Sequence, residues 1–170
     1  PTNAVFEERM AALENGRAAL AVSSGMAAQM VALLTLMEEG DELVSASSLY
    51  GGTYSQFDVT FRKFGIHTTF VDSDNPENFR KAITKNTKAL LIVHLFGKAA
   101  DMDKVMLLAE KYQLKVIEDC AQSPGTYYNK RLVGTIGDVG VFSFNQSKTI
   151  SAGEGGVAIT NNNIYALRMQ

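Results

Sequence analysis

The chain lacks the residues that would build a disulfide framework or a thiolate metal centre. Cys120 is its single cysteine, which excludes an internal disulfide and any multi-thiolate zinc site; the expectation is a buried packing residue, not a nucleophile. Two histidines, His67 and His94, lie far apart without ligand spacing, and His94 is expected in the core or at a strand end. Excess charge is missing too. Sixteen basic against 18 acidic residues leave a formal net charge of −2, no footprint for nucleic acid or an anionic membrane. No apolar run reaches the roughly 18 residues that span a bilayer, and no secretory leader pattern is visible, so the expected compartment is the cytoplasm. A G-x-G-x-x-G after the first strand is also absent; that position reads Ser23-Ser24-Gly25-Met26-Ala27-Ala28, which ranks a nicotinamide-binding domain a distant third. The chain opens on Pro-Thr-Asn without an initiator Met, and the expectation is a segment cut from a longer parent.

What is present suffices for one domain. With 170 residues and 46% hydrophobic content, disorder is excluded and roughly 70% of the unfolded surface can be buried without covalent staples. Short apolar runs alternate with helical periodicity. Strands are expected at Ala18–Val22, Glu42–Ser45, His67–Val71, Ala89–His94, Leu114–Glu118, Val139–Phe144 and Gly156–Thr160. Between them the pattern predicts helices over Met26–Met37 (apolar face Met30, Leu33, Leu34, Met37), Thr53–Phe64, Pro76–Ile83 and Asp101–Tyr112. The last two strands are joined by a Gly-rich loop with no crossover helix, so that pair is expected to be antiparallel. The expected fold class is α/β, a three-layer αβα sandwich around a mixed, mostly parallel sheet of about seven strands.

Ligands of open α/β sheets sit outside the carboxyl ends of the parallel strands. Ser24-Gly25-Met26 after the first strand could offer helix N-terminal N–H groups and a hydroxyl to an anion, or could be a simple N-cap. Tyr50, beside Gly51 and Gly52, could stack on a planar ring or be an ordinary half-buried tyrosine. Asp119 follows a buried strand, where a carboxylate is costly unless it meets a cation or strong donor, and Gln122 comes three residues later. Lys148 stands between two strands, with Ser143 five residues before it; near a cationic ring such a lysine loses its proton and becomes a nucleophile.

These segments resemble fold-type I pyridoxal-phosphate (PLP) enzymes, and two of their families at once. From residue 1 to about 88, PTNAVFEERMAALE, ALAVSSGMAAQMVALL, SASSLYGGTYSQF and GIHTTFVD resemble Cys/Met-metabolism enzymes, above all O-acetylhomoserine sulfhydrylases. From about 89 to 170, VHLFGKAADMD, KVIEDCAQSPG, VGTIGDVGVFSFNQSKTI and GEGGVAITNN resemble DegT-type sugar aminotransferases. The reading is a chimera of two homologous halves of one large domain, recombined or designed, joined near Thr84–Leu90.

The resemblance implies PLP as cofactor. It makes Lys148 the Schiff-base lysine and Asp119 the partner of the pyridine nitrogen. Gln122 would lie near the ring, Ser143 and Ser24-Gly25-Met26 at the phosphate, and Tyr50 stacked on the ring. It implies a homodimer and an amino-acid or amino-sugar substrate, with transaminase-like chemistry through Lys148. Remnant sulfhydrylase-type γ-replacement and a chimeric scaffold without catalysis are the alternatives. Two family features are not found: a Tyr-x-Arg element upstream of Asn-Pro-Thr and a small C-terminal domain. Weak or no turnover is therefore expected.

Overall fold

The computed structural model describes residues 2–73 and 75–170. Among the described residues nine strands form: β1 (Ala18–Val22), β2 (Glu42–Ala46), β3 (His67–Val71), β4 (Thr87–Val93), β5 (Lys115–Asp119), β6 (Tyr127–Tyr128), β7 (Arg131–Leu132), β8 (Val139–Ser143) and β9 (Gly156–Thr160). Seven of them build one sheet in the order β1-β9-β8-β5-β4-β2-β3, while β6 and β7 form a separate hairpin. β8, β5, β4, β2 and β3 pair in parallel. Only β9 runs the other way, antiparallel to both β8 and β1. The expected antiparallel pair is there, and β9 has a second such partner in β1.

Among the described residues six α-helices accompany the strands: α1 (Thr2–Leu13), α2 (Gly25–Leu36), α3 (Gly51–Ser55), α4 (Pro76–Ala82), α5 (Met102–Tyr112) and α6 (Asn163–Arg168). Side chains alternate across the strands, so each face of the sheet has its own core. Leu91, Ile117, Val139, Val141 and Ala158 face Ala28, Ala32 and Leu33 of α2, with Phe57, Phe61 and Tyr165. Leu90, Val116, Phe142, Val157 and Ile159 face Met10 of α1, Phe79 of α4 and Met102 and Ala109 of α5. The result is the three-layer mixed α/β sandwich.

Two helix expectations need correction. The buried face of α2 is Ala28, Ala32, Leu33 and Leu36, whereas Leu34 is exposed and Met30 half-buried. The helix is apolar nearly all round, so periodicity could not fix its rotation, and small alanines take the close approach to the sheet. The segment expected as one α-helix over 53–64 begins at Gly51 and changes pitch, through a π turn at Gln56–Thr60 and a 3-10 turn at Phe61–Phe64. Packing decides this, because Phe57 and Phe61 both bury completely. Gly65, at φ +73°, then ends it. Among the described residues no helix is long and apolar enough to cross a membrane.

Candidate active site

The sheet gathers distant residues at one edge. Ser143 pairs with Gly156 across β8 and β9, and Gly156 pairs in turn with Val22 of β1. The turn after Val22 therefore lies beside Ser143. At Ser24 the side chain caps α2, its Oγ accepting the Ala27 N–H at 3.1 Å, while the Ser24 carbonyl accepts from Ala28. Gly25 and Met26, at the first two helical positions, point N–H groups that have no intrahelical acceptor. A Cβ on Gly25 would sit 2.7 Å from Ser143 Cβ, so only glycine allows this approach. Gly156 is equally constrained, since a Cβ there would lie 2.3 Å from the Ser24 carbonyl oxygen. Two hydroxyls and a helix N-terminus thus converge on an anion-sized corner.

One strand further in, Asp119 ends β5, opposite Val93 of β4 and Val141 of β8. Its Oδ1 accepts the Ala121 N–H at 3.0 Å and its Oδ2 accepts from Gln29 Nε2 at 2.8 Å. Burial pushes this carboxyl above its ordinary range; the two hydrogen bonds and the charge of Lys148 pull it back. Lys148 itself lies on the β8–β9 connection, its N–H bonded to the Asn145 carbonyl in a turn. The Asn145 amide also donates to Glu154 at 2.7 Å, tying the two ends of that loop.

All eight residues singled out from the sequence line one cleft of about 600 Å³: Ser24, Gly25, Met26, Tyr50, Asp119, Gln122, Ser143 and Lys148. Tyr50 precedes α3 and is 73% exposed, its ring close over Gly52 beside the Met26 sulfur. Gln122 Oε1 accepts the Phe96 N–H at 3.4 Å, and its carbonyl accepts from Gly97, which holds the loop after β4.

Sequence reasoning missed Gln29 and Thr53, both of which line the cleft. Thr53 Oγ1 donates to Gln29 Oε1 at 3.1 Å, and the Gln29 amide donates onward to Asp119. The available signal was a glutamine inside the otherwise apolar GMAAQMVALLTL helix.

The neighbouring carboxylate, Glu118, points through the other face of the sheet and is fully buried. It accepts N–H groups from Gly134, Ile136 and Gly137 and lies 3.0 Å from His94 Nε2. His94 Nδ1 accepts the Ala100 N–H, so Nε2 carries the proton and donates to Glu118. His94 is thus a core residue, and Cys120 beside it is buried, its thiol pushed well up by burial. These three side chains lie close together, but the lone pairs of Glu118 and His94 are already engaged.

Curated relatives fall in both groups that the sequence resembles. The chain is 56% identical over 89 residues to an O-acetyl-L-homoserine sulfhydrylase of Leptospira meyeri, a match covering 52% of this chain and 20% of that protein. It is 39% identical over 163 residues to a GDP-perosamine synthase of Escherichia coli O157:H7, covering 92% and 44% respectively. Among solved structures, S. venezuelae DesV in complex with a ketimine intermediate superposes with a TM-score of 0.90 at 34% identity, over 99% of this chain and 47% of that one. An O-acetylhomoserine (thiol)-lyase from Campylobacter jejuni carrying a pyridoxyl-lysine monophosphate gives a TM-score of 0.80 at 29% identity, over 96% and 41%. The chain spans 20–44% of the length of the curated relatives it matches. The model of the DegT/DnrJ/EryC1/StrS aminotransferase family matches residues 1–170, and the chain belongs to that family.

Proposed function

We propose that this chain is the PLP-binding core of an aminotransferase-type enzyme, with Lys148 as the amine that reacts with the cofactor. The observation that carries the reading is one cleft holding Lys148 and Asp119, near enough for the lysine's charge to favour the carboxylate, with a hydroxyl-lined helix N-terminus at one corner.

The residues present fit the group. The corner where a Cβ on Gly25 would collide with Ser143 brings backbone N–H groups and two serines to a phosphate-sized site. Asp119 offers a buried negative charge to a protonated ring nitrogen, and Tyr50 an exposed aromatic face. When bound, PLP supplies an aldehyde that condenses with amines and a ring that withdraws electrons from the substrate Cα. Ser24, Gly25, Met26 and Ser143 would bind and anchor the phosphate. Asp119 would keep the ring nitrogen protonated, and Gln122 would border the ring. Lys148 Nζ would be the base that takes up the proton from the substrate Cα. The substrate is a small amino acid or amino sugar, and the enzyme works as a homodimer in the cytoplasm.

Absorbance spectra with and without PLP test this. The expected result is a visible band lost in Lys148→Ala, with borohydride fixing a pyridoxyl group on Lys148. Protein that stays colourless and unlabelled overturns the reading and leaves a scaffold without catalysis. A second reading, γ-replacement, draws on the 56% identity to a sulfhydrylase. Sulfide-dependent acetate release without amine transfer to a 2-oxo acid would favour it.

We further infer that residues 1–88 and 89–170 are two halves of one large domain, joined near Thr84–Leu90. The join would run into β4, which pairs with β2 on one side and β5 on the other. Such central pairing lets homologous halves share one sheet.

A further inference from the structure

We propose that Gln29, its amide fixed by Thr53, is a positioning residue that holds and orients the Asp119 carboxylate. The inference deepens the reading above, because Asp119 is the group assigned there to the cofactor ring.

The argument begins with an oddity of composition. In α2 the only polar side chains after Gly25 are Gln29 and Thr35. Thr35 turns its hydroxyl back onto the Val31 carbonyl at 2.7 Å. Gln29 instead crosses to the sheet, to a residue 90 positions away, and is 4% exposed. A leucine there would fill similar volume without the cost of burying an amide. The amide is satisfied at both ends, donating to Asp119 Oδ2 at 2.8 Å and accepting from Thr53 Oγ1 at 3.1 Å.

The direction of this relay is chemically determined. Turning the amide over would aim its oxygen at a carboxylate oxygen and its NH2 at Thr53, replacing an attraction to the carboxylate with a repulsion. Thr53, 3% exposed at the third residue of α3, supplies the donor that the amide oxygen needs. It lies three residues after Tyr50, so one short helix fixes the relay and follows the exposed ring directly. On the other oxygen, Ala121 N–H is a backbone donor that no substitution short of proline removes. Gln29 is therefore the replaceable half of the support. The charged group acting on Asp119 is Lys148 from the β8–β9 loop, which favours its ionised form; His94 beyond β4 is the other titratable neighbour, and its Nδ1 accepts the Ala100 N–H. Gln29 adds a neutral, directional bond that fixes which oxygen is occupied.

The test reads Asp119 directly, in cofactor-free protein, from the carboxyl 13C shift of labelled aspartate across pH. Gln29→Leu should raise the Asp119 midpoint by about one pH unit, a tenfold change in acidity. Thr53→Val should raise it by less, and Gln29→Met should match Gln29→Leu. A Gln29→Leu protein that melts cooperatively with the wild-type Asp119 midpoint overturns the proposal. If Gln29→Leu does not fold, Thr53→Val decides, and an unmoved midpoint there overturns it equally. A purely structural role would change the melt and leave the midpoint alone. Since this readout needs no PLP, colourless protein sinks the functional reading without touching this one.

Discussion

Glu118 and Asp119 are adjacent carboxylates on one strand, and they live in opposite regimes. Pleating sends them through opposite faces of the sheet. Glu118 is closed in by three backbone N–H groups and the His94 imidazole, with no solvent exposure. Asp119 has two hydrogen bonds and borders the cleft. Saturated on one face, undersupplied on the other: the first arrangement holds loops together, and the second leaves a charge with capacity to spare. Proximity along the chain says nothing about role here. The count of donors does.

Breaking that comparison should have its largest effect at Glu118. Glu118→Leu leaves three backbone N–H groups and a histidine without their acceptor, and about 3–5 kcal/mol of stability should be lost, read by urea denaturation. A loss under about 1 kcal/mol would mean that the loop at 134–137 repacks freely. Gly25→Ala probes the cleft side. Forcing a methyl against Ser143 should cost about 1–3 kcal/mol and weaken PLP binding, measured by melting and by cofactor titration. Unchanged cofactor affinity in that variant would remove the corner from the phosphate site.

At Asp119 the expected sign reverses. Its carboxyl is raised in the folded state by burial, so the native protein keeps a proton that the unfolded chain gives up. Stability from this group is therefore present below its unfolded value and falls as pH climbs through the raised one. Cofactor-free Asp119→Asn should equal or exceed the wild type in stability at neutral pH, the difference shrinking as pH drops below about 4. A variant less stable than wild type at pH 7 would place Asp119 with Glu118 as a structural acid. Smallest in energy is the behaviour of Cys120. Sealed on the Glu118 side, with its thiol pushed up by burial, it should resist alkylation in folded protein and react only on unfolding.

The strands were legible because their runs are short, apolar and bounded by turn residues, as in ALLIV of β4 or GVAIT of β9. The polar residues after them were legible because an open sheet gathers strand ends on one edge. Other features were not, the short helix α6 among them. In α1 only Met10 and Ala11 bury, so no apolar stripe marks it. The β6–β7 hairpin turns through Asn129 and Lys130, both with positive φ, and without the glycine that usually advertises such a turn. Gln29 carries no catalytic signature of its own. Its significance comes from Asp119 and Thr53, which are far from it in sequence and meet it only in the packed core.

The antiparallel strand β9 has a temporal consequence. Strand β1 hydrogen-bonds to residues 156–160, so the serine-lined corner cannot close until β9 has been synthesised. Strands β2 to β5 can pair as they emerge from the ribosome, whereas β1 must wait, unpaired, until β9 follows them. Long-range closure of this kind is slow. During biosynthesis, ligand competence should therefore arrive only after the parallel body of the sheet already exists.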